Sequence, residues 1–157
     1  MSALALRSVT PAAFDWRAVL DEIGPQLAEE GRRCDENNQF AAANFELLRA
    51  REFLALVVPA ELGGHGLSRT ETAQALRAMA QYCPSTALAH AMHTHPTAAA
   101  VWRWQHQKAP VDGLLKRIAS ERIQLLTSGG SDWLDGSGKA EKVEGGSMGR
   151  RRTVKGG

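Results

Sequence analysis

Three groups of residues in this chain have types and spacings that can do chemistry. The first is His90, His93 and His95 in H-x-x-H-x-H. On a helix His90 and His93 share a face, and imidazole is the commonest metal ligand. No carboxylate or cysteine at ligand spacing completes a set, and Pro96 follows directly. The expectation is therefore helix histidines packed beside a cavity, with no metal. The second group is Gly63-Gly64-His65-Gly66. A glycine run can cradle phosphate, but this one lacks the Lys-Ser/Thr of a P-loop and the strand-to-helix spacing of a dinucleotide fold. A structural turn is expected. The third is Thr127-Ser128-Gly129-Gly130-Ser131-Asp132, hydroxyls and exposed backbone after a short apolar run. On its own a Gly-Ser loop is a common arrangement.

The elements that must position these groups read as mostly helical. Ala12 to Cys34 carries Phe14, Ala18, Val19, Ile23 and Leu27 at an approximate 3.6-residue period, with Gly24-Pro25 expected to kink or restart the helix. Phe40 to Arg51 reads as a second helix, with Phe45, Leu47 and Leu48 inward. Ser68-Arg69-Thr70-Glu71 has the pattern of a capping box opening a third helix to Tyr82, with Ala73, Leu76, Met79 and Ala80 on one face. Ser85 to Gln107 is long and alanine-rich, bent at Pro96. Val111 to Arg122 has Leu114, Leu115 and Ile118 inward. Ile123 to Thr127 reads as a strand, Lys139 to Glu144 as a second, and Gly145-Gly146 as a turn. Of Trp102 and Trp104, at least one is expected in the core. Between the second and third helices, Phe53 to Ser68 stops an apolar run at Pro59 and turns through three glycines, the pattern of a fixed loop, and fixed loops shape sites.

Bulk properties narrow the class. At 157 residues the chain is about one domain, and 43% hydrophobic content is that of a globular protein. No apolar run reaches the roughly 18–20 residues of a membrane span, so no membrane partner is expected. Two cysteines, Cys34 and Cys83, make no disulfide framework and point to free thiols in the cytoplasm. The net charge of +2 is uneven: Arg150, Arg151, Arg152 and Lys155 lie in the last eleven residues, and without those four the 19 basic residues become 15 against 17 acids. The body has no charge signature for nucleic acid, and the tail reads as a solvated, disordered end.

Taken in order, F-E-L-L-R-A-R-E-F-L-A-L-V-V-P-A-E-L-G-G-H-G-L-S, the helix with A-L-R-A-M-A, C-P-S-T-A-L-A-H-A-M-H, and L-L-T-S-G-G-S-D resemble the N-terminal part of the acyl-CoA dehydrogenase flavoprotein superfamily, over about Phe14 to Gly146. The resemblance implies a mainly α fold: an N-terminal helical bundle of about six helices (1–121), the beginning of a β-barrel middle domain (122–146) and a basic tail (147–157). It implies FAD as cofactor, with FMN the alternative. Thr127 would bond the flavin's pyrimidine edge, and Ser128, Gly130 and Ser131 would face the pyrophosphate, with Gly64 and His93 at the substrate channel. It implies an oxidoreductase acting on the CH–CH group of an acyl-CoA or similar small molecule, homo-oligomeric in full-length relatives. The Thr-to-Gly-Ser loop here is only Ser128-Gly129, about two residues shorter than the usual form with Glu-Pro, and is more like the branch that includes flavin-dependent monooxygenases. After Gly146 the family's strand pattern gives way to S-M-G-R-R-R-T-V-K-G-G, as a shifted frame or early stop would produce. The family's base lies on a C-terminal domain with no counterpart here, so no catalytic residue is assigned. The alternative to a flavoenzyme portion is a catalytically inactive truncated remnant acting as a helical interaction module.

Overall fold

The computed structural model describes residues 14–126, 138–143 and 146–151. The fold is mainly α. The helices are α1 (Trp16–Glu36), α2 (Ala42–Ala50), α3 (Arg69–Tyr82), α4 (Pro84–Gln107) and α5 (Asp112–Ser120), five among the described residues rather than about six. Two 3-10 turns, Phe53–Ala55 and Ala60–Leu62, fill the α2–α3 connection. A first compact unit ends at Leu126 and a second begins at Thr127. Residues 122–126, expected to open a β domain, thus belong to the helical unit.

α1 begins where Asp15 caps it, its carboxylate accepting from the N–H groups of Arg17 and Ala18. It buries Trp16, Leu20, Ile23, Leu27 and Cys34 on one stripe. Ala18, expected inside, is exposed. Of the kink or restart expected at Gly24-Pro25, the restart does not occur. Pro25 removes one N–H from the ladder, but apolar burial on both sides holds the helix continuous. Gly24 is required for another reason: a Cβ there would sit inside the Tyr82 ring.

α3 opens with the expected capping box, the Glu71 N–H donating to Ser68 Oγ (3.2 Å) and the Ser68 N–H to Glu71 Oε2 (3.0 Å). Its buried residues are Thr72, Ala75 and Met79; of the expected face Met79 is buried, Leu76 and Ala80 are half-buried, and Ala73 is exposed. α4 starts with Pro84 at its N-terminus, where the missing N–H is harmless, and runs through Pro96 without interruption. On either side of that proline, Thr94 and Thr97 return their hydroxyls to the carbonyls of His90 (3.0 Å) and His93 (2.8 Å).

The main core joins Trp16, Leu20, Ile23 and Leu27 of α1 to Leu48 of α2, Phe53 and Leu56, Ala75 and Met79 of α3, and Cys83 and Ala87 at the start of α4. A smaller cluster unites Val58 with Leu115 and Ile118 of α5, flanked by Val101, Trp104 and Leu125. Of the pair, Trp104 is half-buried against this cluster and Trp102 is exposed. Leu114, expected inward, is exposed. One polar knot sits inside the main core. Buried Asn44 donates through Nδ2 to the Leu27 carbonyl (3.0 Å) and to Thr86 Oγ1 (2.9 Å), tying α1, α2 and α4 together.

In the second unit, β1 (Gly138–Val143) and β2 (Gly146–Arg151) form an antiparallel pair with Gly138 opposite Arg151 and Val143 opposite Gly146. β1 matches the expected second strand. β2 corrects the reading of 147–157 as a strandless tail, since its first residues pair through the backbone, which needs no hydrophobic alternation. Gly146, expected in a turn, is the first residue of β2. The strand expected at Ile123–Thr127 is not formed over 123–126; Thr127 lies outside the described residues.

Candidate functional site

The Phe53–Ser68 connection is fixed by its own backbone. Glu52 takes a left-handed φ of 63° to break α2 from the first 3-10 turn. The chain from Pro59 then folds back over the segment before it. The Gly63 N–H donates to the Ala60 carbonyl (3.0 Å), Gly64 to Pro59 (3.1 Å), His65 to Ala55 (3.1 Å), Gly66 to Val58 (2.8 Å) and Leu67 to Leu56 (2.8 Å). Every N–H of Gly63-Gly64-His65-Gly66 is therefore engaged within the loop, and none is left to cradle a phosphate. The turn reading of this motif holds.

Gly64 sits where a Cβ would overlap the Val58 carbonyl, so it serves close backbone approach. Its neighbours His65 and Gly66, with Val57, Leu67, Leu76, Val101 and the 44%-exposed Trp102, line an open cleft of about 780 Å³ between the loop, α3 and α4. Gly64 itself is not among the lining residues. His65 stacks on Phe14 (centroids 3.9 Å apart, planes at 13°), and its Nε2 lies 3.5 Å from a Glu52 carboxylate oxygen. Burial lowers its pKa and Glu52 pulls the other way.

His93 is almost wholly buried, and its two ring nitrogens have separate partners. Nε2 lies 2.8 Å from the Leu54 carbonyl oxygen, and the Leu125 N–H donates to Nδ1 at 2.9 Å. A backbone N–H can only donate and a carbonyl can only accept. The ring is therefore the neutral Nε2–H tautomer, donating to Leu54 and accepting from Leu125. Burial lowers its pKa, with the Leu54 bond acting in the opposite direction. Within the helical unit His93 is thus an internal tie between two backbone segments. It also explains the missing strand at 123–126, because the Leu125 N–H is spent on a side chain rather than on a ladder.

A second tie reinforces the same exit. Arg122, with φ of 54°, turns the chain out of α5 and places a guanidinium nitrogen 3.3 Å from Glu52. Beyond it Ile123, Gln124 and Leu126 line a shallow hollow of about 560 Å³ with Phe40, Phe45 and Arg49 of the α2 region.

His90 is fully buried, and neither ring nitrogen has a hydrogen-bond partner among the described residues. Burial and then the neighbouring His93 ring, 5.7 Å away, push its pKa down to about 3. The Phe53 backbone counters only weakly, without meeting hydrogen-bond geometry. Exposed His95 completes the H-x-x-H-x-H motif, and no group of three metal-ligating side chains exists among the described residues.

Thr127, Ser128, Gly130 and Ser131, the residues expected at the flavin, lie outside the described residues, as does Trp133. What the structure does place is the chain up to Leu126, held at Arg122 and Leu125. Sequence reasoning missed both of those anchors and Asn44. No local pattern marks them, since each is defined by a partner at least 17 positions away.

A helical unit with a backbone-locked P-x-x-x-G-G-x-G turn, handing its chain to a β segment, is the lead-in domain of an acyl-CoA dehydrogenase-type protein. The chain belongs to that family: the profile of the acyl-CoA dehydrogenase N-terminal domain matches residues 17–120. Among its relatives, L-evernosamine nitrososynthase of Micromonospora sp. is 32% identical over 111 residues, 70% of this chain and 26% of that protein. Amino sugar nitrososynthase RubN8 of Streptomyces rubradiris is 33% identical over 113 residues, 71% of this chain and 26% of that protein. The crystal structure of nitrososynthase from Micromonospora carbonacea var. africana superposes with a TM-score of 0.59 at 31% identity, over 71% of this chain and 28% of that one. The chain thus spans about a quarter of the length of the curated relatives it matches.

Proposed function

We propose that this chain is the N-terminal helical portion of a flavin-dependent oxidoreductase of the monooxygenase-like branch, with an amino sugar as the substrate class. The observation that carries this reading is the 31–33% identity to nitrososynthases across the helical unit. The short Ser128-Gly129 link agrees with it. No relative found supports an acyl-CoA substrate, so oxidation of a CH–CH bond takes second place.

FAD, or FMN, would supply the redox chemistry. The residues offered to it are chemically suited: Thr127, Ser128 and Ser131 bring hydroxyls, and Gly130 brings no side chain that would keep an anion from the backbone. They follow Leu125, the last among the described residues of the helical unit's exit to be tied to it by a hydrogen bond. The helical unit's contribution is mechanical. It holds the chain that leads into this segment at Arg122 and Leu125. No helix among the described residues is long and apolar enough to cross a membrane. Both cysteines are free and buried, which suits a reducing compartment, and the cytoplasm is the proposed location.

Titration of the purified chain with FAD and with FMN, followed by flavin fluorescence, tests cofactor binding. Saturable quenching by either flavin is expected, and none up to high micromolar flavin would sink the reading. The substrate class is tested by grafting residues 17–126 in place of the matching segment of an amino sugar nitrososynthase. Amino-sugar oxidation is expected to survive, with no gain of acyl-CoA oxidation.

A further inference from the structure

We infer that the trough between the glycine loop, α3 and α4 is a docking surface for an acidic amphipathic helix of a partner protein. An apolar anchor of that helix sits against Leu76, Val101 and Trp102, and its carboxylates meet Arg69 and Arg77. The surface is independent of the flavin reading, since every residue of it lies in the helical unit.

Charge carries it. Elsewhere in the helical unit basic side chains face carboxylates: Arg32 pairs with Glu29 and Glu36, Arg33 with Glu30, Arg51 with Glu22 and Arg117 with Glu121. The α3–α4 pair differs. Its helices carry Arg69, Arg77 and Arg103, and Lys108 caps the end of α4. None of these has an ion pair among the described residues. The two helices contain one acid, Glu71, and the capping box uses it. Arg69 and Arg77 stand two turns apart on an exposed stripe with Ala73 between them, about 12 Å along the axis. They line one hollow with Gln74, to which Arg17 of α1 donates at 2.7 Å, so a third cation stands at the same edge. Positive charge left uncompensated on one face selects an acidic partner and steers its approach.

Shape says what kind of acidic partner fits. The cleft of about 780 Å³ continues into a hollow of about 420 Å³ that shares Arg69 and Ala73, and into one of about 550 Å³ that shares Glu61 and Gln105. A small ligand is enclosed on most of its surface, whereas this trough is open along its length. An amphipathic helix laid in such a groove presents anchors at i, i+3, i+4 and i+7. Trp102, half in solvent and held by its stack on His106, is the large apolar side chain of the wall. The loop wall is preformed by its own backbone bonds, so docking orders little of this chain. Glu61 is the one carboxylate lining the cleft among the described residues, and it lies at the end shared with Lys108 rather than with Arg77. The acids of the docked helix therefore lie along α3.

The probe is a fluorescein-labelled helical peptide of about 18 residues, with Leu at i, i+3, i+4 and i+7 and Glu flanking the Leu stripe, titrated with the full chain and followed by anisotropy. Saturable binding that weakens as salt is raised is expected. The Arg69→Glu, Arg77→Glu double variant should bind at least about tenfold more weakly, and Trp102→Gln about fivefold. A peptide with Lys in place of Glu should reverse the order and prefer the double variant. The arginines near the C-terminus are common to parent and variants, so binding through them would not respond to these substitutions. Arg69 and Arg77 are exposed, and circular dichroism checks that the double variant folds. Should it not, Arg77→Gln alone still answers, with about threefold weaker binding expected and unchanged binding against the proposal. No saturable binding of the Glu peptide, or binding that survives the double reversal, would overturn the docking surface. Tighter binding of polyuridylate or of phosphatidylserine vesicles, lost in the same double variant, would give the face to a nucleic acid or a membrane and overturn the protein partner. So would self-association of the parent, without peptide, that the double variant abolishes, since the occupant would then be a second copy of this chain.

Discussion

At the scale of single residues, the contrast between His90 and His93 is informative. They are three residues apart on one helix face and both buried, yet one ring has both nitrogens satisfied and the other has no partner among the described residues. A buried unpaired imidazole is costly, and more so if charged. His90 ordinarily titrates at 6.5 and is held down to about 3 in the fold. Below about pH 6.5 the unfolded chain takes up a proton that the folded chain refuses. Stability is therefore complete above that pH and falls as the solution is acidified towards about 3, by at most about 1.4 kcal/mol per pH unit for each such histidine. His93 acts in the same direction. Urea unfolding at pH 7 and pH 5 should show this loss. The His90→Leu variant should be at least as stable as the parent at pH 7 and lose less on acidification. An unchanged difference between the two pH values would contradict the assignment.

At the scale of elements, the glycine loop gives the clearest prediction, because its glycines have different physical reasons. Gly64 has no room: a Cβ meets the Val58 backbone, which cannot swing aside as a side chain would. Gly66 has room, the nearest atom being Ala60 N at 3.6 Å, but its φ is +63°. Gly66→Ala should cost about 1 kcal/mol, the left-handed penalty for a residue with a Cβ. Gly64→Ala should cost more, about 2–3 kcal/mol, as overpacking against backbone does. Chemical denaturation of the two variants checks the order. The sequence pointed to this loop as fixed, through its proline, three glycines and capping box. It could not say that all the motif's N–H groups are consumed internally, because two of their acceptors, Ala55 and Val58, are set by the fold-back and not by the pattern.

At the scale of the whole molecule, the helical unit leaves large apolar side chains in solvent. Phe40 is 71% exposed, Leu88 67% and Leu126 82%. Phe40 and Leu126 border the same hollow, while Leu88 stands on the outer side of α4. Surface of this kind is usually covered by a partner. The chain should therefore self-associate at high concentration. Sedimentation velocity over a hundredfold concentration range is expected to show a rising mass, diminished in a Phe40→Ser, Leu88→Glu double variant. A concentration-independent monomer would show that these residues are individually tolerated.

The sequence by itself determined the helical class, the capping box, the locked turn and the family, because each rests on local periodicity or on residues a few positions apart. It placed Ile23, Leu27, Phe45, Leu48, Met79, Leu115 and Ile118 inside, where they are. It left open a restart at Gly24-Pro25 that does not occur, since a proline's local cost was outweighed by apolar contacts made along the whole of α1. It misread 123–126 as a strand, since β-forming residues do not show what their amides will bond to. It could not show that tertiary packing brings Leu54 and Leu125 to the two ring nitrogens of His93, from 39 positions before and 32 after. Only the tertiary structure decides such cases, because burial and hydrogen-bond partnership depend on which distant segment arrives.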